Sequence, residues 1–292
     1  MGERQMKLIQ AIERASARLQ QAGVSFGHGT HNAFDEAVWL SLWRLGLPLD
    51  DLDSVADRTL TPGEALLIEA LVEERIATRK PAAYLTREAW LQGVPFYVDE
   101  RSIVPRSFIG ELIADGSIDP WLGAHTARVL DLCTGNGSLA ILAAMAWPEV
   151  RVDAADLSTD ALAVARINIE RHALADRVTL RQGDGLTAAE GCYDLILCNP
   201  PYVNTRSMQA LPPEYRAEPE IALAGGADGM DFIRRLIHDA ADHMNDGGLL
   251  VLEIGNERAH FEQAFARMEV VWMSTSAGDD QVLLLTRDAL LA

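Results

Sequence analysis

From Arg128 to the end of the chain, short apolar runs alternate with longer amphipathic stretches, and no other feature limits the fold as much. A strand covered on both faces reads as a continuous apolar run, and two parallel neighbours need a crossover long enough to hold a helix. The alternation therefore predicts an α/β domain built on a mostly parallel sheet with helices on both faces. Strands are expected over residues 128–132, 151–156, 178–182, 195–198 and 249–254, and helices over 138–147, 159–172 and 230–244. Asn245-Asp246-Gly247-Gly248 reads as the stop of the last of these helices. Two further apolar runs, 270–274 and 282–286, flank a turn expected at Gly278-Asp279-Asp280 and predict an antiparallel closing pair.

Ahead of this region the period changes to that of helices. Met6, Ile9, Ile12, Ala15 and Leu19 mark a helix over 4–22 that Gly23 can close. Phe34, Val38, Trp39, Leu42 and Leu45 mark another over 33–45, in which Trp39 and Trp43 read as packing residues. Thr61-Pro62-Gly63-Glu64 supplies an N-cap, a proline at the first helical position and an acidic first turn for a third helix running to 79. Within residues 88–104, Gln92-Gly93 between two short apolar runs predicts a hairpin. The expected organisation is a small helical domain over 1–86, a hairpin linker over 87–105 and the sheet domain over 106–292, opening on a helix at 108–114.

A chain of 292 residues can bury a core of this size, and none of its apolar runs approaches the roughly 18 to 20 residues a membrane span needs. The amino-terminal stretch has no apolar signal core, and Met6 stands where a myristoylation signal has Ser or Thr, so the expected location is the cytoplasm. Three cysteines without a CxxC pair and seven histidines without an HExxH or His-Cys cluster predict neither disulfide nor metal, and His28 and His31 read as loop residues. The formal net charge of −18 leaves little material for a phosphate-gripping face, so direct nucleic-acid binding is not expected; it suits a basic partner, or solubility alone.

The chemistry is expected where the fourth strand stops. A central strand cannot continue through Asn199-Pro200-Pro201-Tyr202, because proline has no N–H to donate. The prolines also keep the preceding residues out of the helical region, so the Asn199 side-chain amide and the Pro200 carbonyl are presented with little freedom. Such a corner can grip a planar amide or amino group; an isolated Asn-Pro-Pro is equally an ordinary turn. Its neighbours are informative. Gly135-x-Gly137-x-x-Ala140 follows the first strand, as in nucleotide-binding turns, and Asp156 ends the second strand, where a carboxylate can take two ribose hydroxyls. Those features fit NAD and S-adenosylmethionine alike. Asp131, inside the first strand, can meet the amino group of a methionine moiety and would repel a pyrophosphate, while Asp184 can accept an adenine amino group.

These acids, the closing antiparallel pair and Asn-Pro-Pro-Tyr together resemble the class I S-adenosylmethionine-dependent methyltransferases that act on nitrogen. That resemblance implies a Rossmann-like, mostly parallel seven-stranded sheet with an antiparallel final strand. It implies a cofactor set of Asp131, Cys133, Thr134, Gly135, Asn136, Gly137, Asp156, Leu157, Asp184, Gly185 and Asn199. Catalysis would fall to Asn199, Pro200 and Tyr202, and substrate binding to those three with Pro201 and Arg106. The stretches 28–52 and 96–107, Asp131-Leu132-Cys133-Thr134-Gly135 and Leu223-Ala224-Gly225-Gly226-Ala227-Asp228-Gly229 narrow the resemblance to the protein glutamine-N5 methyltransferases. Within that family Pro105-Arg106-Ser107 is similar to the branch that modifies large-subunit ribosomal protein L-three, whereas the release factor branch usually reads Pro-Arg-Pro. The resemblance implies S-adenosylmethionine as cofactor and ribosomal protein L-three as partner; release factors and amino groups of nucleic acids stay open as alternative substrates. The stretch 203–228, directly after the corner, is expected to be a substrate-binding lid that orders on binding.

Overall fold

The computed structural model describes residues 6–123 and 125–292, which fall into two compact units. One comprises the chain through Glu88 together with Pro212–Ala217; the other comprises Ala89–Leu211 and Glu218–Ala292.

The first unit holds five helices: α1 (Leu8–Gln21), α2 (Ala33–Arg44), α3 (Leu52–Val55), α4 (Pro62–Thr78) and α5 (Ala82–Thr86). Helix α1 buries Leu8, Ala11, Ile12, Ala15 and Leu19, the stripe that three- and four-residue spacing dictates. It begins later than expected because Lys7 is held in a bridge to Thr59; residues 4 and 5 of the expected span lie outside the described residues. Helix α4 opens on a reciprocal cap, the Glu64 N–H donating to Thr61 Oγ1 (3.2 Å) and the Thr61 N–H to Glu64 Oε2 (2.9 Å). It ends where Arg79 takes a left-handed φ of 58°. Buried Arg75 on α4 donates to Glu36 Oε1 (2.9 Å) and Glu214 Oε1 (3.4 Å), and Glu214 also accepts from the Ser25 N–H (3.1 Å). This charge cluster draws 212–217, distant in sequence, into the helical unit.

The second unit begins with a hairpin, β1 (Ala89–Leu91) and β2 (Val94–Phe96), whose turn residues Gln92 and Gly93 both take positive φ (51° and 74°), the pair of conformations a two-residue hairpin turn demands. After α6 (Ile109–Ala114) come β3 (Arg128–Leu132), α7 (Ser138–Ala146), β4 (Arg151–Asp156), α8 (Thr159–Arg171), β5 (Val178–Gln182) and β6 (Tyr193–Cys198). The chain continues through α9 (Thr205–Ala210), α10 (Asp231–Asp239), β7 (Met244–Glu253), α11 (Arg258–Ala264), β8 (Val271–Thr275), β9 (Gly278–Thr286) and α12 (Arg287–Leu291). The sheet has seven strands in the order β5-β4-β3-β6-β7-β9-β8, parallel from β5 to β7, with β9 antiparallel to both its neighbours. Both faces are covered. Leu195 and Leu197 of β6 join the core under α6 and α7, while Ile196 and Cys198 join the opposite core with Ile233 and Leu236 of α10. Among the described residues no helix is long and apolar enough to cross a membrane.

Three boundaries depart from the sequence expectation. The helix expected over 230–244 stops at Asp239, a tighter turn spans Ala240–His243, and Met244 already pairs with Tyr193 in the sheet. Asn245-Asp246-Gly247-Gly248 is therefore an irregularity inside β7, held by Asn245 Nδ2 donating to Asp194 Oδ1 (2.7 Å), and not the stop of a helix. The closing hairpin turns at Ser276-Ala277, because Gly278 pairs with Thr275, so Asp279 and Asp280 belong to β9. Finally, 203–228, expected as a long loop, contains α9 and two short tight turns, and Val203 bridges Ala224.

Candidate active site

The strand order places β5, β4, β3 and β6 side by side, so Asp184, Asp156, Asp131 and Asn199 all stand at the carboxyl end of one half of the sheet. Ligands of open α/β sheets bind in this position, beyond the strand ends. A cavity of about 260 Å³ opens there. Of the residues expected in the site, Cys133, Gly135, Asp156, Leu157, Asp184, Gly185, Asn199 and Pro201 line it. Asp131, Thr134, Asn136, Gly137, Pro200, Tyr202 and Arg106 lie outside its lining. A larger groove of about 750 Å³, by Phe265, Met268 and Trp272, contains none of the three aspartates.

The turn after β3 is tight because Cys133, Gly135 and Gly137 all have positive φ (61°, 55° and 82°). Gly137 is also a contact: a Cβ there would sit 3.1 Å from Ala165 Cβ, so the bare Cα lets the start of α7 pack on α8. Asp131 is wholly buried beneath the turn. Its Oδ2 accepts from Thr134 Oγ1 and from the Ala140 N–H (2.9 Å), while Oδ1 has no partner among the described residues. Burial raises this carboxyl to about 7, the two hydrogen bonds opposing the rise and nearby Asp156 adding to it. A buried acceptor oxygen left open is a seat for a cation or a donor. Asp156 accepts the Gly135 N–H on Oδ2 and the Ser158 N–H on Oδ1 (2.8 Å each), tying the glycine turn to the end of β4. Burial pushes its carboxyl upward as well.

Asp184 is more exposed, and Arg235 of α10 grips it with two bonds of 2.8 and 3.2 Å that hold its carboxyl below the usual range. A forked guanidinium leaves lone pairs on the carboxylate for a further donor. Arg235 lies over the Phe232 ring at 5.5 Å, and both line the cavity. Neither was among the expected site residues, because nothing in the spacing of α10 marks them as more than one helix face.

Asn199 follows directly on Cys198, which pairs with Leu132 across the β3–β6 ladder, so the Asn-Pro-Pro corner sits against the glycine turn. The Asn199 side-chain amide makes no hydrogen bond to other described residues. Tyr202 donates its hydroxyl to Glu253 Oε1 (3.2 Å) at the end of β7. Arg106 faces Glu218: Nη1 and Nη2 donate to Oε1 and Oε2 at 2.6 and 2.7 Å, and the Val104 N–H adds a third bond (2.9 Å). Arg106 therefore fastens the residue before Pro219, and Pro219, Ile221 and Ala222 form a wall of the cavity. That wall and Ile103, which also lines the cavity, were missed; the Leu223–Gly229 motif was the one signal near them.

Comparison with known proteins follows the same division. Residues 10–86 match the family described as "PrmC N-terminal domain", and residues 119–211 match "Methyltransferase small domain". The chain is 54% identical over 285 residues to the ribosomal protein uL3 glutamine methyltransferase of Burkholderia pseudomallei, covering 94% of this chain and 92% of that one. The protein of the same description from Neisseria gonorrhoeae is 49% identical over 281 residues (95% and 93%), and that from Bradyrhizobium diazoefficiens 44% over 283 (94% and 89%). Among solved structures the hMettl16 catalytic domain superposes with a TM-score of 0.51 at 14% identity, covering 77% of this chain and 81% of that one, a likeness of fold.

Proposed function

This chain belongs to the ribosomal protein uL3 glutamine methyltransferase family, and on that premise we propose that it moves a methyl group from S-adenosylmethionine to the side-chain amide nitrogen (N5) of a glutamine in ribosomal protein uL3, in the cytoplasm. The observation that carries the reading is what the carboxyl ends of neighbouring strands β3 and β6 bring together: a buried acid with an open oxygen beneath the glycine turn, and, on the lining of the cavity, Asn199, whose side-chain amide makes no hydrogen bond to other described residues. The first suits the cationic end of the cofactor and the second a planar neutral amide.

Asp131 would hold the methionine amino group on its open oxygen, Asp156 would take the ribose hydroxyls, and Asp184, steadied by Arg235, would accept from the adenine amino group. When bound, S-adenosylmethionine supplies an electrophilic methyl carbon on a sulfonium. An amide nitrogen is a poor nucleophile because its lone pair is spread into the carbonyl, so the corner's task is aim. The Asn199 side-chain oxygen and the Pro200 carbonyl accept the two N–H bonds of the target amide, fix the nitrogen toward the cofactor and spread the positive charge that develops. Tyr202 packs beside the amide plane. The N–methyl bond would form as the methyl carbon–sulfur bond of the sulfonium breaks, leaving a neutral thioether, and the cationic amide nitrogen would then lose one proton to water, no base acting first. A neutral planar group is what such a site selects, and a basic ribosomal protein is what a chain at −18 attracts.

Mass spectrometry of ribosomal proteins from cells with and without this enzyme tests the reading. One methyl group on a uL3 glutamine side chain, present only with the enzyme, is the expected result; an unmodified uL3 in both would contradict it.

A further inference from the structure

Tyr202 does not line the cavity, yet four residues from two segments, 225–229 and 253–255, close on it. A Cβ added at Gly255 would lie 2.5 Å from Tyr202 Cε2, one at Gly229 2.3 Å from its carbonyl oxygen, and one at Gly225 2.7 Å from its Cα. These glycines leave room for the ring and the backbone and for little else, which accounts for the Leu223–Gly229 motif in physical terms. The fourth contact is Glu253, 1% exposed, the last residue of β7 and next along the strand from Leu252, which pairs with Cys198 just before Asn199. Its Oε2 accepts from Ser107 Oγ (2.6 Å) and the Phe108 N–H (2.9 Å) at the start of α6, leaving Oε1 to the Tyr202 hydroxyl. A carboxylate buried this fully is a poor way to gain stability, since well-packed apolar side chains serve as well or better. It does fix direction: three donors from two segments leave one orientation of the carboxyl plane.

We propose that Glu253 is a positioning residue for methyl transfer: by holding the Tyr202 hydroxyl it sets the ring in its glycine cage, and through the ring the Pro200–Tyr202 backbone on which the target amide is aimed. The proposal rests on the glutamine reading above. Aim, not charge, is the contribution, so a neutral side chain of the same shape serves. Glutamine can turn its oxygen to Ser107 and Phe108 and its amino group to the Tyr202 oxygen, an acceptor when the hydroxyl reorients.

Tyr202→Phe, Glu253→Gln, Glu253→Ala and the Tyr202→Phe/Glu253→Ala double variant are assayed with labelled S-adenosylmethionine and uL3, with cofactor affinity taken by calorimetry. Tyr202→Phe and Glu253→Ala are each expected to lower kcat about tenfold or more, with KM and cofactor affinity within about threefold. The double variant should be no worse than the poorer single one, and Glu253→Gln should recover most of kcat. Full kcat in Tyr202→Phe, losses that multiply in the double variant, or a Glu253→Gln as slow as Tyr202→Phe would overturn the positioning role. If Glu253→Ala fails to fold, Tyr202→Phe and Glu253→Gln decide by the same criteria. Absence of glutamine methylation by the unsubstituted enzyme would instead remove the reading beneath it.

Discussion

Asp131 is wholly buried, and its surroundings set its chemistry. Below the ordinary carboxyl value of 3.8 both folded and unfolded chains carry the proton; between there and about 7 only the folded chain keeps it. Its contribution to stability is therefore complete below 3.8 and is lost as the pH rises through about 7. For binding the sign reverses, because an ammonium group favours the ionised acid. Affinity for S-adenosylmethionine should rise between about pH 6 and 8 and then level off, by at most tenfold per pH unit for one linked proton. Asp131→Asn should remove the slope and weaken binding at the upper end; calorimetry measures both, and a flat profile in the unsubstituted protein would contradict the seat assigned to Asp131. Asn199→Ala should behave oppositely, keeping cofactor affinity within a few fold while turnover falls about a hundredfold, the usual loss for one preorganised transition-state contact. A raised KM with unchanged kcat would make Asn199 a binding residue only.

Elements were legible in proportion to how far their pattern is local. β3, β4 and β5 have the limits their apolar runs predict, and the Gln92-Gly93 hairpin and the Thr61 cap follow from turn and cap chemistry within four residues. The end of α10 was not legible, because Ala240–His243 continues a helix-like composition while Met244 is claimed by a partner strand fifty residues earlier. The cavity wall was hidden for the same reason: Glu218 looks like any acid in a polar stretch until Arg106 and Val104 meet it. That fastening is testable. Glu218→Ala leaves a half-buried guanidinium and an N–H without their acceptor and should cost roughly 3 kcal/mol in urea unfolding. It should also loosen Pro219–Ala222 and weaken cofactor binding. Unchanged stability with unchanged affinity would show that the wall stands without the pair.

At the scale of the whole molecule the acidic balance and the neutral site divide the work of recognition. On the function proposed above, long-range attraction would bring a basic protein to a chain at −18, and the Asn-Pro-Pro corner would select the group it modifies. Salt should therefore act on encounter: methylation of free uL3 slows as ionic strength rises and the Debye length falls below about 10 Å, whereas a short neutral glutamine peptide is little affected. The charge balance was plain in the sequence; the partner was reached through the resemblance carried by 28–52, 96–107 and Leu223–Gly229, since no residue pattern in the site alone names a protein. The measurement that bears most directly on the account is transfer from labelled S-adenosylmethionine to uL3, to a peptide chain release factor and to ribosomal RNA in separate reactions at matched concentration and salt. Label on a glutamine side chain of uL3, in excess over the other two, is the predicted result. Label on the release factor in preference to uL3 would contradict the substrate, and label confined to RNA would contradict the glutamine chemistry itself.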